Sequence, residues 1–207
     1  MQILILDSHR DPHDFGAPRI VSYARDYGTV TVRRAPERDL PDVHEEYDCV
    51  IASGSKTSAM DESVWVQELV AFIARWTAAK KPFLGICFGH QMLARALGGV
   101  VGPSSTPEFC ISDVYVTNPS ELAFGLESSF SVVNAHAQCV QSLPPGMEKI
   151  FETAHCPLAG MRMVGAPIFS VQFHPERAKY DFPSLPQQAL EVPSGARIME
   201  NFFRSLR

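Results

Sequence analysis

Short apolar runs alternate with amphipathic stretches from the start of the chain. Ile3-Leu4-Ile5-Leu6, closed by Asp7, predicts a buried strand over residues 2–7. A turn-rich passage then leads to a helix over residues 15–27, which Asp14 can cap and Gly28 can end. Residues 29–34 alternate apolar and polar and predict a second strand, 36–46 a polar connection, and 47–53 a nearly continuous apolar strand covered on both faces. After Asp61 as a cap, Trp65, Leu69, Phe72, Ile73 and Trp76 recur at helical spacing and predict a helix over 62–79 with an aromatic core stripe. Lys80-Lys81 ends it with charges that suit the helix dipole.

Pro82-Phe83-Leu84 starts another strand, followed by Gly85-Ile86-Cys87-Phe88-Gly89-His90-Gln91 and a helical pattern from Met92 to Leu97 that Gly98 and Gly99 close. Residues 98–107 read as turn-rich, and short strands are predicted over 111–117, 130–134, 148–153, 158–163 and 168–173. Residues 178–194, with Pro183, Pro186 and Pro193, predict a long loop, a candidate lid or partner contact. Ser194 can cap a last helix over 196–206 that turns Ile198, Met199, Phe202, Phe203 and Leu206 to the core. This order predicts an α/β fold, an open and mostly parallel twisted sheet flanked by helices, in one domain over residues 1–207.

Composition narrows the function. With 207 residues, 45% of them hydrophobic, the chain can bury one substantial core. Its net charge of −5, with no basic stripe, argues against nucleic acid as a partner, and no apolar run suits a signal or membrane segment. A soluble, cytoplasmic protein is expected. The five cysteines form no C-x-x-C pair and fit a reduced compartment; all but Cys87 read as packing residues. His9 and His13 have helical metal-pair spacing, but Pro12 between them opposes a helix, so no metal is assigned. Gly54-Ser55-Lys56-Thr57-Ser58 lacks the glycines of a phosphate-binding loop.

Candidate chemistry centres on Cys87, at the apex of a strand-turn-helix, with glycines two residues before and two after to relieve crowding. There the helix N-terminus favours a negative sulfur, the Phe88 N–H faces the place where an oxyanion would form, and Gln91 shares the helix face. Taken alone, the motif also fits a buried cysteine at an ordinary strand-to-helix junction. A second cluster, Gln172-Phe173-His174-Pro175-Glu176, ends an apolar run. Its proline puts His174 and Glu176 on one side, as a base and the carboxylate that orients it. By itself His-Pro-Glu also fits a strand-ending turn.

Together these residues resemble the class I glutamine amidotransferase domains with a Cys-His-Glu triad, a family that includes the glutaminase domain of GMP synthase and related γ-glutamyl peptidases. The resemblance implies a flavodoxin-like fold with a small additional antiparallel sheet, and Cys87, His174 and Glu176 as the triad. It also implies oxyanion-hole N–H groups at Ser55 and Phe88, and substrate contacts at Gly54, Gln91 and His136. Gly54-Ser55 stands where relatives carry Gly-Gly, Glu108-Phe109-Cys110 where they carry Glu-x-Gly, and Gln138 where they carry Asp. A structural histidine at a strand end is an equal reading of His136. No cofactor is implied. The substrate would be glutamine or a γ-glutamyl compound. Because the chain has no ATP-binding motif, ammonia would pass to a separate ATP-dependent synthetase. The alternatives are a stand-alone γ-glutamyl hydrolase and a non-catalytic regulatory chain.

Overall fold

The computed structural model describes residues 1–14, 16–42, 45–177 and 193–207, so the predicted loop falls outside the described residues up to residue 192. In chain order these residues form β1 (Gln2–Asp7), α1 (Gly16–Ala24), β2 (Thr29–Arg34), β3 (Cys49–Ala52), α2 (Val64–Ala78), β4 (Phe83–Ile86) and α3 (Phe88–Ala96). The second half forms β5 (Val100–Val116), β6 (Ser129–Ser142), β7 (Met147–Glu152), β8 (Gly160–Met163), β9 (Ile168–Val171) and α4 (Pro193–Arg204). The strands join in one sheet, ordered β2-β1-β3-β4-β9-β8-β7-β5-β6. The first five of these pair in parallel, and the rest continue antiparallel from β9. The antiparallel strands are therefore hydrogen-bonded onto the parallel half through β8 rather than set apart from it.

Strand β1 is apolar at successive positions because both its faces are covered. Ile3 and Ile5 enter a core with Ile20 of α1 and Phe202 of α4, while Leu4 and Leu6 enter another with Leu69 of α2 and Met92 of α3. Residues of alternating direction thus meet helices on opposite sides, as expected for a doubly covered parallel strand. Asp14 accepts a hydrogen bond from the Gly16 N–H at 3.1 Å at the start of α1. Asp61 accepts one from the Ser63 N–H at 2.7 Å, just ahead of α2. Among the described residues no helix is long and apolar enough to cross a membrane.

The sequence expectation fails most clearly at residues 98–107, which belong mainly to β5 rather than to a turn. Val101 pairs with Val140, Gly102 with Cys139 and Pro103 with Gln138, and the register then shifts before resuming at Glu108 opposite His136. Long-range pairing with β6 overrides local turn propensity, and the prolines are tolerated because the ladder is interrupted between them. This hairpin is tied to the parallel half by aromatic rings packed edge-on and tilted. Phe151 of β7 lies 5.6 Å from Phe130 of β6 and 5.8 Å from Phe173 just past β9. We expect Phe151→Ala to cost about 3–5 kcal/mol in urea unfolding, the range for emptying a buried aromatic position. A loss below about 1 kcal/mol would show that these rings do not join the two halves.

Candidate active site

Strand β4 runs straight into α3 with a single residue, Cys87, between them. Its backbone is at φ 51° and ψ −101°, a positive-φ conformation that costs a side-chain-bearing residue about 1–3 kcal/mol. The strained turn persists because its surroundings leave no alternative. Cys87 N–H donates to the Val171 carbonyl at 2.8 Å, and Gly89 N–H to the Ser53 carbonyl at 3.1 Å. A Cβ on Gly85 would stand 2.6 Å from the Gly89 carbonyl oxygen, and one on Gly89 only 2.4 Å from that of Ala52. The two glycines therefore let α3 close onto the ends of β3 and β4.

His174 follows β9, and its N–H donates to the Val133 carbonyl of β6 at 2.9 Å. Its Nδ1 lies 2.8 Å from Glu176 Oε1, and both residues are buried. A Cβ on Gly54 would stand 3.0 Å from His174 Cε1 and 3.5 Å from Cys87 Cβ, so imidazole and cysteine meet across that glycine. Burial opposes a charge on His174, yet the Glu176 carboxylate and the Cys87 sulfur outweigh it and raise the pKa to about 9. Burial likewise opposes the Glu176 charge, but the His174 ring and the Arg177 guanidinium hold that carboxyl below its usual range. The three predicted groups are thus brought together around a buried charged pair.

Cys87 and His174 line a cavity of about 600 Å³ that also meets Ser55, Gln91 and His136, and Glu176 stands behind His174. Gln91 Nε2 donates to the Gln138 carbonyl at 2.7 Å and to Gln172 Oε1 at 3.0 Å. His136 Nε2 lies 3.3 Å from Glu108 Oε2, and Glu108 in turn accepts hydrogen bonds from Thr153 at 2.9 Å and Ser112 at 3.1 Å. Burial, with His174 nearby, pushes the His136 pKa down despite Glu108. The side chain of Gln138 is used structurally: it accepts from the Ala59 N–H at 2.6 Å and donates to Ser58 Oγ at 2.8 Å, pinning the loop that carries Ser55. Ser55 Oγ accepts from the Thr57 N–H at 3.0 Å.

Sequence reasoning missed several participants. Gln172 Nε2 reaches Cys87 Sγ at 3.7 Å; the residue belongs to the Gln-Phe-His-Pro-Glu cluster, and its place two positions before His174, on the same strand face, was the available signal. Glu108 has no sequence signal for its pairing with His136, because only the β5–β6 register sets it opposite. His9, held by Asp7 at 2.7 Å, also lines the cavity, at the end of β1.

Matches to known proteins give the family. The family model for glutamine amidotransferase class-I matches residues 13–187. A glutamine-hydrolyzing GMP synthase subunit from Ignicoccus hospitalis is 36% identical over 139 residues, covering 67% of this chain and 72% of that protein. Its counterpart from Sulfurisphaera tokodaii is 31% identical over 157 residues, covering 76% and 81%. The crystal structure of a glutamine amidotransferase from Methylobacillus flagellatus superposes with a TM-score of 0.81 at 19% identity, over 100% of this chain and 95% of that one. The chain belongs to the class I glutamine amidotransferase family.

The buried pair yields a measurable signature. Because the His174 pKa is raised from 6.5 to about 9, its contribution to stability is complete below pH 6.5 and is lost as pH rises through about 9. NMR titration of the His174 ring should give a midpoint near 9 in the native protein and a clearly lower one in Glu176→Gln. Equal midpoints in the two proteins would mean that Glu176 does not set the charge of the ring.

Proposed function

We propose that the chain is a glutaminase: it hydrolyses the side-chain amide of glutamine through a thioester on Cys87 and delivers ammonia to a separate ATP-dependent synthetase chain in the cytoplasm. In this reading residues 1–207 act as one class I glutamine amidotransferase domain. The observation that carries it is the meeting of the strained Cys87 with the buried His174–Glu176 pair across Gly54.

Cys87 sulfur attacks the γ-carboxamide carbon, and the resulting oxyanion is received by the backbone N–H groups of Ser55 and Phe88. His174 protonates the departing nitrogen, so the C–N bond breaks, ammonia leaves and a glutamyl thioester remains. With ammonia gone, His174 takes a proton from water as the water attacks the thioester. The C–S bond then breaks, releasing glutamate and restoring the sulfur. Glu176 holds the ring orientation and stabilises its charged form. With both Nε2 hydrogens of Gln91 spent on Gln138 and Gln172, its amide oxygen is the group left for the glutamyl amine. His136 walls the same space.

A second reading, cleavage of larger γ-glutamyl compounds, is favoured by the cavity. Beside the 600 Å³ space lies a hollow of about 390 Å³ that shares Ser55, Lys56, Thr57, Ser58 and His9 with it, giving room beyond a free amino acid. Ammonia release from glutamine should vanish in Cys87→Ala. It should fall about 10²–10⁴-fold in His174→Ala, and less in Glu176→Gln. Turnover of γ-glutamyl dipeptides by the chain alone, with glutamine turned over only beside a synthetase, would assign each activity its own conditions. Wild-type turnover of both substrates equal to that of Cys87→Ala would leave only a non-catalytic role.

A further inference from the structure

The thioester steps above assign Gln172 no part, yet its side chain lies between the nucleophile and the residue that faces the glutamyl amine. It directly follows β9, is fully buried, and its backbone N–H donates to the Ala159 carbonyl at 2.8 Å. Its amide reaches Cys87 Sγ at 3.7 Å and Gln91 Nε2 at 3.0 Å. We propose that Gln172 is a further catalytic residue: with Gln91 it forms a line of two amides that joins the negative sulfur to the glutamyl amine, so that each favours the other.

The direction of this line is set from outside it. The Gln138 carbonyl can only accept, so the Gln91 atom 2.7 Å from it is the amide nitrogen. The same nitrogen also donates to Gln172, whose facing atom must then be its oxygen. Gln172 is left with its amide nitrogen toward Cys87, and can give the sulfur a hydrogen but take none from it. A protonated sulfur has the Ala135 carbonyl, 3.8 Å away, as an acceptor. A negative sulfur gains more from Gln172, because donation strengthens toward a charged acceptor.

The other end of the line rests on the reading in which Gln91 Oε1 receives the glutamyl amine. An ammonium there draws electrons from the Gln91 amide and strengthens its donation to Gln172, which in turn donates more strongly to the sulfur. Opposite charges then stand at the two ends of aligned dipoles. Both amides are buried, where such polarisation counts for more than it does in water. Linkage makes the effect mutual: the negative sulfur tightens the hold on the amine by the factor with which the amine favours the negative sulfur.

Iodoacetamide alkylation of Cys87 in the full chain, followed by the mass of its peptide, tests the sulfur end without turnover. Gln172→Met keeps the side-chain length but removes both bonds, and should slow alkylation about 10–100-fold, the range for one hydrogen bond to a charged group. Gln91→Met leaves Gln172 in place, and should slow alkylation by a smaller factor because it frees the Gln172 amide to turn. Turnover tests the amine end. Glutaramate, which is glutamine without its α-amine, should lose kcat as well as affinity in the wild-type protein, and should match glutamine in kcat in Gln172→Met. Alkylation at the wild-type rate in either variant, or a kcat deficit for glutaramate undiminished in Gln172→Met, would overturn the proposal. Rapid solvent exchange of the Gln172 side-chain amide in wild-type protein, read by NMR with no variant to fold, would do the same. Slowed alkylation in both variants of a chain that leaves glutamine intact would count against the glutaminase reading alone.

Discussion

The approach of α3 to the ends of β3 and β4 is the constraint on which the site depends. A side chain at Gly89 would sit 2.4 Å from the Ala52 carbonyl, so the helix reaches its place only because that position has none. Once it is there, the chain must turn within one residue, and Cys87 bears the strain at φ 51°. The hydrogen bond from its N–H to Val171 locks this turn against β9, the strand that leads to His174. Backbone packing thus sets the distance between sulfur and imidazole, with no long side chain or mobile loop required.

Electrostatics follows from the same packing. A buried imidazole would ordinarily be neutral, and a buried carboxyl protonated. Placed 2.8 Å apart, His174 and Glu176 instead stabilise each other's charge, and the sulfur adds to it. The second histidine of the cavity goes the other way. His136 has Glu108 at 3.3 Å, but burial and the nearby His174 keep it below its ordinary value. Two histidines in one cavity therefore shift in opposite directions, His174 toward its charged form and His136 toward its neutral one.

The antiparallel half of the sheet supplies that wall and much of the reach of the cavity. Pro103, Phe109, His136 and Gln138, which line it, come from β5 and β6, and the ring contacts of Phe130, Phe151 and Phe173 fasten these strands to the end of β9. The backbone of His174 is itself tied to Val133 on β6. Cys87 and His174 thus follow strands of the parallel half, while their enclosure belongs to the hairpin.

Local pattern was enough for β1 and β2, whose predicted limits agree with those found, because apolar runs and alternation are properties of adjacent residues. It was also enough for the elbow and for the pairing of His174 with Glu176, since glycine spacing and a proline act within a few residues. It could not reveal β5 across residues 100–107, where the ladder with β6 overrode local turn signals, nor the meeting of Glu108 with His136. Those contacts depend on register between distant segments, and no spacing along the chain encodes which residue of one strand will face which of the other.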